Sequence, residues 1–146
     1  MFRKNWFLLL LILFLNITSY SQIFKRDKNQ YDENGKRKGL WITYWDEEEK
    51  IPMSVATYKN GYETGTSKEY HQNGNLRLKF RYHRNRIRVK YYDINRKIEQ
   101  KGWSIIDYNE VDTHYYWHGK WKFYNEKRKL VRVSKYSNGE EVVSIN

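Results

Sequence analysis

The segment 58–82 reads YKNGYETGTSKEYHQNGNLRLKFRY and carries Asn-Gly twice, at Asn60-Gly61 and Asn73-Gly74. Both residue types accept positive φ, so the pair closes tight turns whose twist suits antiparallel strands. After the second turn Leu76, Leu78, Phe80 and Tyr82 alternate with Arg77, Lys79 and Arg81. A period of two predicts a strand with one buried and one wet face. Helical periodicity is not sustained anywhere beyond the first 21 residues. The expected fold is therefore all-β, an elongated antiparallel sheet of about four stacked β-hairpins.

Registers follow from the same residues. A three-residue loop Gln72-Asn73-Gly74 pairs Tyr70 with Leu76 and Glu69 with Arg77, so apolar meets apolar and acid meets base. A two-residue loop would instead set His71, Glu69 and Ser67 opposite Leu76, Leu78 and Phe80, and the first register is preferred. In the next hairpin Phe80 with Val89 and Leu78 with Tyr91 close a loop around Arg84-Asn85. That register also sets Arg81 against Arg88 and Lys79 against Lys90. Like charges directly opposite destabilise a sheet. Such a face is either splayed into solvent or held for an anionic partner.

A chain of 146 residues makes one domain at most. Charged residues reach 31%, but so many rings, 14 Tyr and 6 Trp, are foreign to disordered chains. The chain folds on aromatic rather than aliphatic surface. With no cysteine, disulfides, thiolate metal sites and thiol catalysis are excluded. The formal charge is +11. Without Arg3 and Lys4 it is still +9, 26 basic residues against 17 acidic. That balance favours anionic lipid, acidic glycan, nucleic acid or an acidic protein as partner.

Residues 1–21 have the three-part form of a secretory signal peptide: Arg3 and Lys4, an apolar run from Trp6 to Leu15, then Ser19 and Ser21 before the expected cut. Ten apolar residues span about 15 Å as a helix, half of a hydrocarbon core. Cleavage would start the mature chain at Gln22, with 22–30 as an extended lead-in and 31–146 as the folded domain. The leader points to export, to a bacterial periplasm or cell envelope or beyond, and makes nucleic acid a poor partner.

Four units align on a Gly-x-aromatic-x-x-Tyr core, the second with serine in place of the ring and the third degenerate. They are Gly39, Trp41, Tyr44; Gly65, Ser67, Tyr70; Ile87, Val89, Tyr92; and Gly119, Trp121, Tyr124. Turn glycines are expected at Gly35, Gly61, Gly74 and Gly139, while Arg96 stands where the third unit's Asn-Gly would be. Ile51, Leu76, Ile98 and Leu130 are expected to begin the return strands. The tyrosines lie 26, 22 and 32 residues apart, in the range of stacked supersecondary units. The excess over 22 residues is assigned to two loops, one at the acidic run Asp46 to Glu49 with Pro52, the other between Gly102 and His118. Val142 and Val143 can close the chain as a last strand.

Tyr-x-Asn-Gly-x-x-x-Gly-x-Trp-x-x-Tyr resembles the MORN repeat in its bacterial variant form, over about residues 31–143, with the best fit at 31–44, 58–74 and 119–139. The resemblance implies a hairpin sheet acting in binding, with membrane, phospholipid and scaffolding roles in eukaryotic members and antitoxin labels among bacterial ones. An export leader fits a cytoplasmic antitoxin poorly.

Candidate chemistry is sparse. Asp112, His114 and His118 could share a strand face but lack a third strong metal ligand at a fixed offset, and His71 and His83 sit beside turns without partners. Asp46 to Glu49 point in alternating directions, and Glu110 with Asp112 have nothing to shift their pKa. No nucleophile elbow or phosphate-cradling loop occurs. The expectation is a non-catalytic module for protein binding or scaffolding, without cofactor or metal. Its exposed tyrosines and tryptophans would supply contact area, and its cations orientation. Arg77, Lys79, Arg81, Arg86, Arg88 and Lys90 form a basic face for anionic lipid or acidic polysaccharide.

Overall fold

The computed structural model describes residues 27–108 and 113–145. The leader, its cleavage site and most of the lead-in lie outside the described residues. The rest is one antiparallel meander of ten strands in chain order, with no helix among the described residues. The strands are β1 (Gln30–Tyr31), β2 (Arg37–Tyr44), β3 (Pro52–Lys59), β4 (Tyr62–Tyr70) and β5 (Leu76–His83). They continue as β6 (Arg86–Tyr92), β7 (Ile98–Tyr108), β8 (Thr113–Tyr124), β9 (Leu130–Ser137) and β10 (Glu140–Ile145). The lead-in is not merely extended: the Asn29 amide donates to the Leu40 carbonyl and its side chain bonds Ile42, covering the β2 edge.

Turns alternate in kind along the meander. Asn60-Gly61 and Asn138-Gly139 join their strands with both residues at positive φ. Five-residue loops at 71–75, 93–97 and 125–129 share one bonding pattern, and 32–36 joins β1 to β2 in the same way. In 93–97 and 125–129 a side-chain oxygen of Asp93 or Asn125 accepts two backbone amides across the loop. The residue fourth from the loop-opening position is left-handed each time: Gly35, Gly74, Arg96 and Arg128. The third unit thus folds like the others without its glycine. Arg96 also donates to Asn75 of the preceding loop, and the Asn75 amide reaches the Ile94 carbonyl, so adjacent loops are tied together.

Every repeat tyrosine sits beside a bulge at the mouth of a long loop. Tyr44 pairs with Pro52, Tyr70 with Leu76, Tyr92 with Ile98 and Tyr124 with Leu130, each next to a register shift. The first return strand therefore starts at Pro52, and Ile51 lies in the loop, its carbonyl accepting the Trp45 amide. The bulge also corrects the register at β4–β5. Tyr70 meets Leu76 as expected, but Glu69 faces Leu78 and Ser67 faces Phe80, the pairs of the register set aside above. Arg77 is the extra residue. The β5–β6 register is the expected one throughout.

The described residues between Gly102 and His118 are not a loop. They belong to β7 and β8, whose 11 and 12 residues make the longest strands. These strands reach β4 and β5: Tyr108 meets Tyr62 at 4.7 Å between ring centroids, and Tyr115 meets Phe80 at 5.7 Å. Strands three places apart touch only if the sheet curls, so one face is concave and holds the core. Leu78, Phe80, Ile87, Val89, Ile106, Trp121 and Tyr136 are buried there. Trp121 stacks on Trp117 at 3.7 Å and donates its indole N–H to the Trp103 carbonyl. It lies against Gly102, where a Cβ would be 2.3 Å from the ring.

Candidate functional site

Alternation turns Lys79 and Arg81 of β5, and Arg86, Arg88 and Lys90 of β6, away from the concave core. Arg81 faces Arg88 and Lys79 faces Lys90, as expected. The neighbouring strands extend the pattern. Lys68 of β4 pairs with Lys79, Lys101 of β7 with Lys90, and Lys122 of β8 with Lys101. Five lysines therefore stand directly opposite one another across five strands, a row of about 19 Å at the usual strand spacing. Among the described residues none of the five forms an ion pair with a carboxylate. Lys90, at the centre, has its pKa lowered, first by burial and then by Arg88, Lys101 and Lys79.

A second row lies beside it. Arg81 and Arg88 are followed across the sheet by Trp103 and His118. The guanidinium groups of Arg86 and Arg88 lie 5.1 and 5.9 Å from the Trp103 ring centre, and the His83 ring is 5.6 Å away. Lys79, Arg81, Arg88 and Lys90 together line a shallow depression of about 130 Å³. On the other flank the Lys101 ammonium stands 5.0 Å over the Tyr124 ring. Rings here steady the cations and leave their charge unneutralised. Such a surface can hold an extended anion.

Three expectations about site residues need correction. Arg77 leaves the set, because its guanidinium bonds the Glu69 carboxylate. The repeat aromatics, candidate site residues, are not the exposed rings: Trp121 is fully buried, while Trp41, Tyr44, Tyr70, Tyr92 and Tyr124 are half-buried. The exposed rings are others, such as Tyr31, Trp45 and Tyr62. Nor are the histidines beside turns isolated, since His83 packs on Trp103 and His71 reaches the Tyr92 carbonyl.

The acidic run has a local role. The Asp46 carboxylate accepts the amides of Lys50 and Ile51, and those bonds lower its pKa. Glu110 and Asp112 lie outside the described residues. No cluster of three metal-ligating side chains occurs among the described ones. Lys68, Lys101, Lys122 and Trp103 were not singled out from the sequence, although one signal was present. Lys68, Lys79, Lys90 and Lys101 are spaced eleven apart, half of the 22-residue repeat. Comparison with protein families, with curated proteins and with solved structures gave no match. The repeat resemblance therefore rests on this chain's residues alone.

Proposed function

We propose that the chain is a non-catalytic binding module, MORN-like in its repeats, that docks an anionic partner on the lysine row. One observation carries this reading: Lys68, Lys79, Lys90, Lys101 and Lys122 face one another on adjacent strands, and among the described residues no carboxylate pairs with them. An uncompensated row costs stability, so a bound polyanion is what would offset it. The leader pattern favours an envelope partner, an anionic lipid surface or acidic polysaccharide, over nucleic acid.

Scaffolding of proteins is the second reading. Val142, Val143 and Ile145 are at least half exposed on the edge strand β10, whose outer side has no neighbour in the sheet. Such an edge can accept a strand from a partner. The antitoxin role stays attached to the resemblance and names no surface.

The test compares binding of the chain to vesicles with and without anionic lipid, and to an acidic polysaccharide, across a salt series. The expected result is binding that falls steeply with salt and is lost in Lys79→Glu/Lys90→Glu/Lys101→Glu. Equal binding to zwitterionic vesicles, or a triple variant that binds like the parent, would sink the reading.

A further inference from the structure

The concave side holds a second feature of opposite character. Between β3, β4 and β5 and the residues Ile106, Tyr108 and Tyr115 of β7 and β8 lies a cleft of about 410 Å³. That is within the size range of small-ligand sites. Six rings line it: Tyr58, Tyr62, Phe80, Tyr82, Tyr108 and Tyr115. At its side sits the half-buried carboxylate of Glu63. Tyr58 donates to Oε1 at 2.9 Å, while Ser67 and Tyr82 donate to Oε2, both at 2.6 Å. Three hydroxyl donors thus converge on one carboxylate. Its charge, after burial, helps to push the Tyr58 and Tyr82 phenols upward.

The missing partner is a cation. Among the described residues no lysine or arginine pairs with Glu63. Arg37 reaches the Tyr58 hydroxyl at 3.1 Å instead, and Lys68, the one base among the lining residues, belongs to the row on the opposite face. Glu69, the other acid, is satisfied by Arg77. Asp32, Asp46 and Asp93 are also half-buried without a base among the described residues, but amides of their own loops hold them, whereas Glu63 lines a cleft. Among the described residues Oε1 accepts a single hydroxyl bond, which leaves it further acceptor capacity. The ring faces around it attract positive charge.

We propose that this cleft binds a small organic ammonium ion, its charge against Glu63 and its alkyl groups among the rings. Apart from Lys68, which borders the cleft, the lysine row takes no part in this site, so the two can fail separately.

Choline is the probe, and its uncharged isostere 3,3-dimethylbutan-1-ol the control, each titrated into the full chain and followed by amide chemical shifts. Saturable shifts should appear around Glu63, Tyr62 and Tyr108 with choline, and the isostere should bind about tenfold more weakly or worse. Glu63→Gln should weaken choline by a similar factor. Because that variant also removes the acceptor of three hydroxyls, Tyr62→Ala provides a second arm. Tyr62 is about half exposed, and its loss should weaken choline several-fold in a folded chain. Arg81→Glu/Arg88→Glu should leave choline binding unchanged. No saturable binding, equal affinity for the isostere, or undiminished binding in folded Glu63→Gln or Tyr62→Ala would overturn the proposal.

Discussion

Lys90 is the centre of the row, with Lys79 and Lys101 directly opposite on its two sides. Lys90→Gln keeps most of the aliphatic stem and removes two like-charge pairs at once. Cross-strand charge pairs are worth about 0.2–1 kcal/mol each. Since these side chains are half-buried and screened by solvent, the lower half of that range applies, and relief of both is about 0.5–1 kcal/mol. For a domain of this size that corresponds to a Tm gain of about 2–5 °C. At 1 M salt, where the Debye length falls to about 3 Å, most of the gain should vanish. The same change removes one cation from the docking surface, so the slope of log affinity against log salt should become shallower by about one. Thermal melts at low and high salt, read beside vesicle or polysaccharide binding, test both halves. Lys59→Gln, an exposed lysine outside the row, should do neither. A fall in Tm at low salt would refute the reasoning, as would a gain that persists at 1 M salt.

Two glycines should differ in the manner of their failure. Gly74 has φ +79 and open space around a would-be Cβ, so Gly74→Val meets backbone strain alone, costing about 1–2 kcal/mol and seen as a lower urea midpoint. Gly102→Ala places its methyl 2.3 Å from the Trp121 ring and must displace the core tryptophan, which should change near-ultraviolet circular dichroism as well as stability. Alkali provides the remaining check. Burial raises the Tyr82 and Tyr91 phenols, Tyr91 up to about 12. The unfolded chain then loses those protons first, so stability present below pH 10 should drain between pH 10 and 12. Lys90, lowered from 10.5, works in the opposite sense as pH rises toward that value. Urea midpoints from pH 9 to 11.5 should fall, and less steeply in Tyr91→Phe; a flat profile would contradict the assignment.

Local chemistry alone determined the strands around Asn60-Gly61 and Asn73-Gly74 and one full register. Alternation around Phe80 and Val89 needs only a pleat, so the opposition of Arg81 to Arg88 could be read without any knowledge of the rest of the molecule. Even the eleven-residue lysine spacing lay in plain view. The bulges were not legible, because a single inserted residue is decided by how a loop meets the next strand. That is why Arg77 left the basic face for Glu69 and why the full five-lysine row emerges only when four successive registers are combined. The curl was decided at longer range still. Trp121 settles on Gly102, and Tyr108 of β7 and Tyr115 of β8 pack on Tyr62 and Phe80. Those contacts join residues tens of positions apart, where burial of rings rather than any short pattern selects the partner, and they alone create the cleft around Glu63.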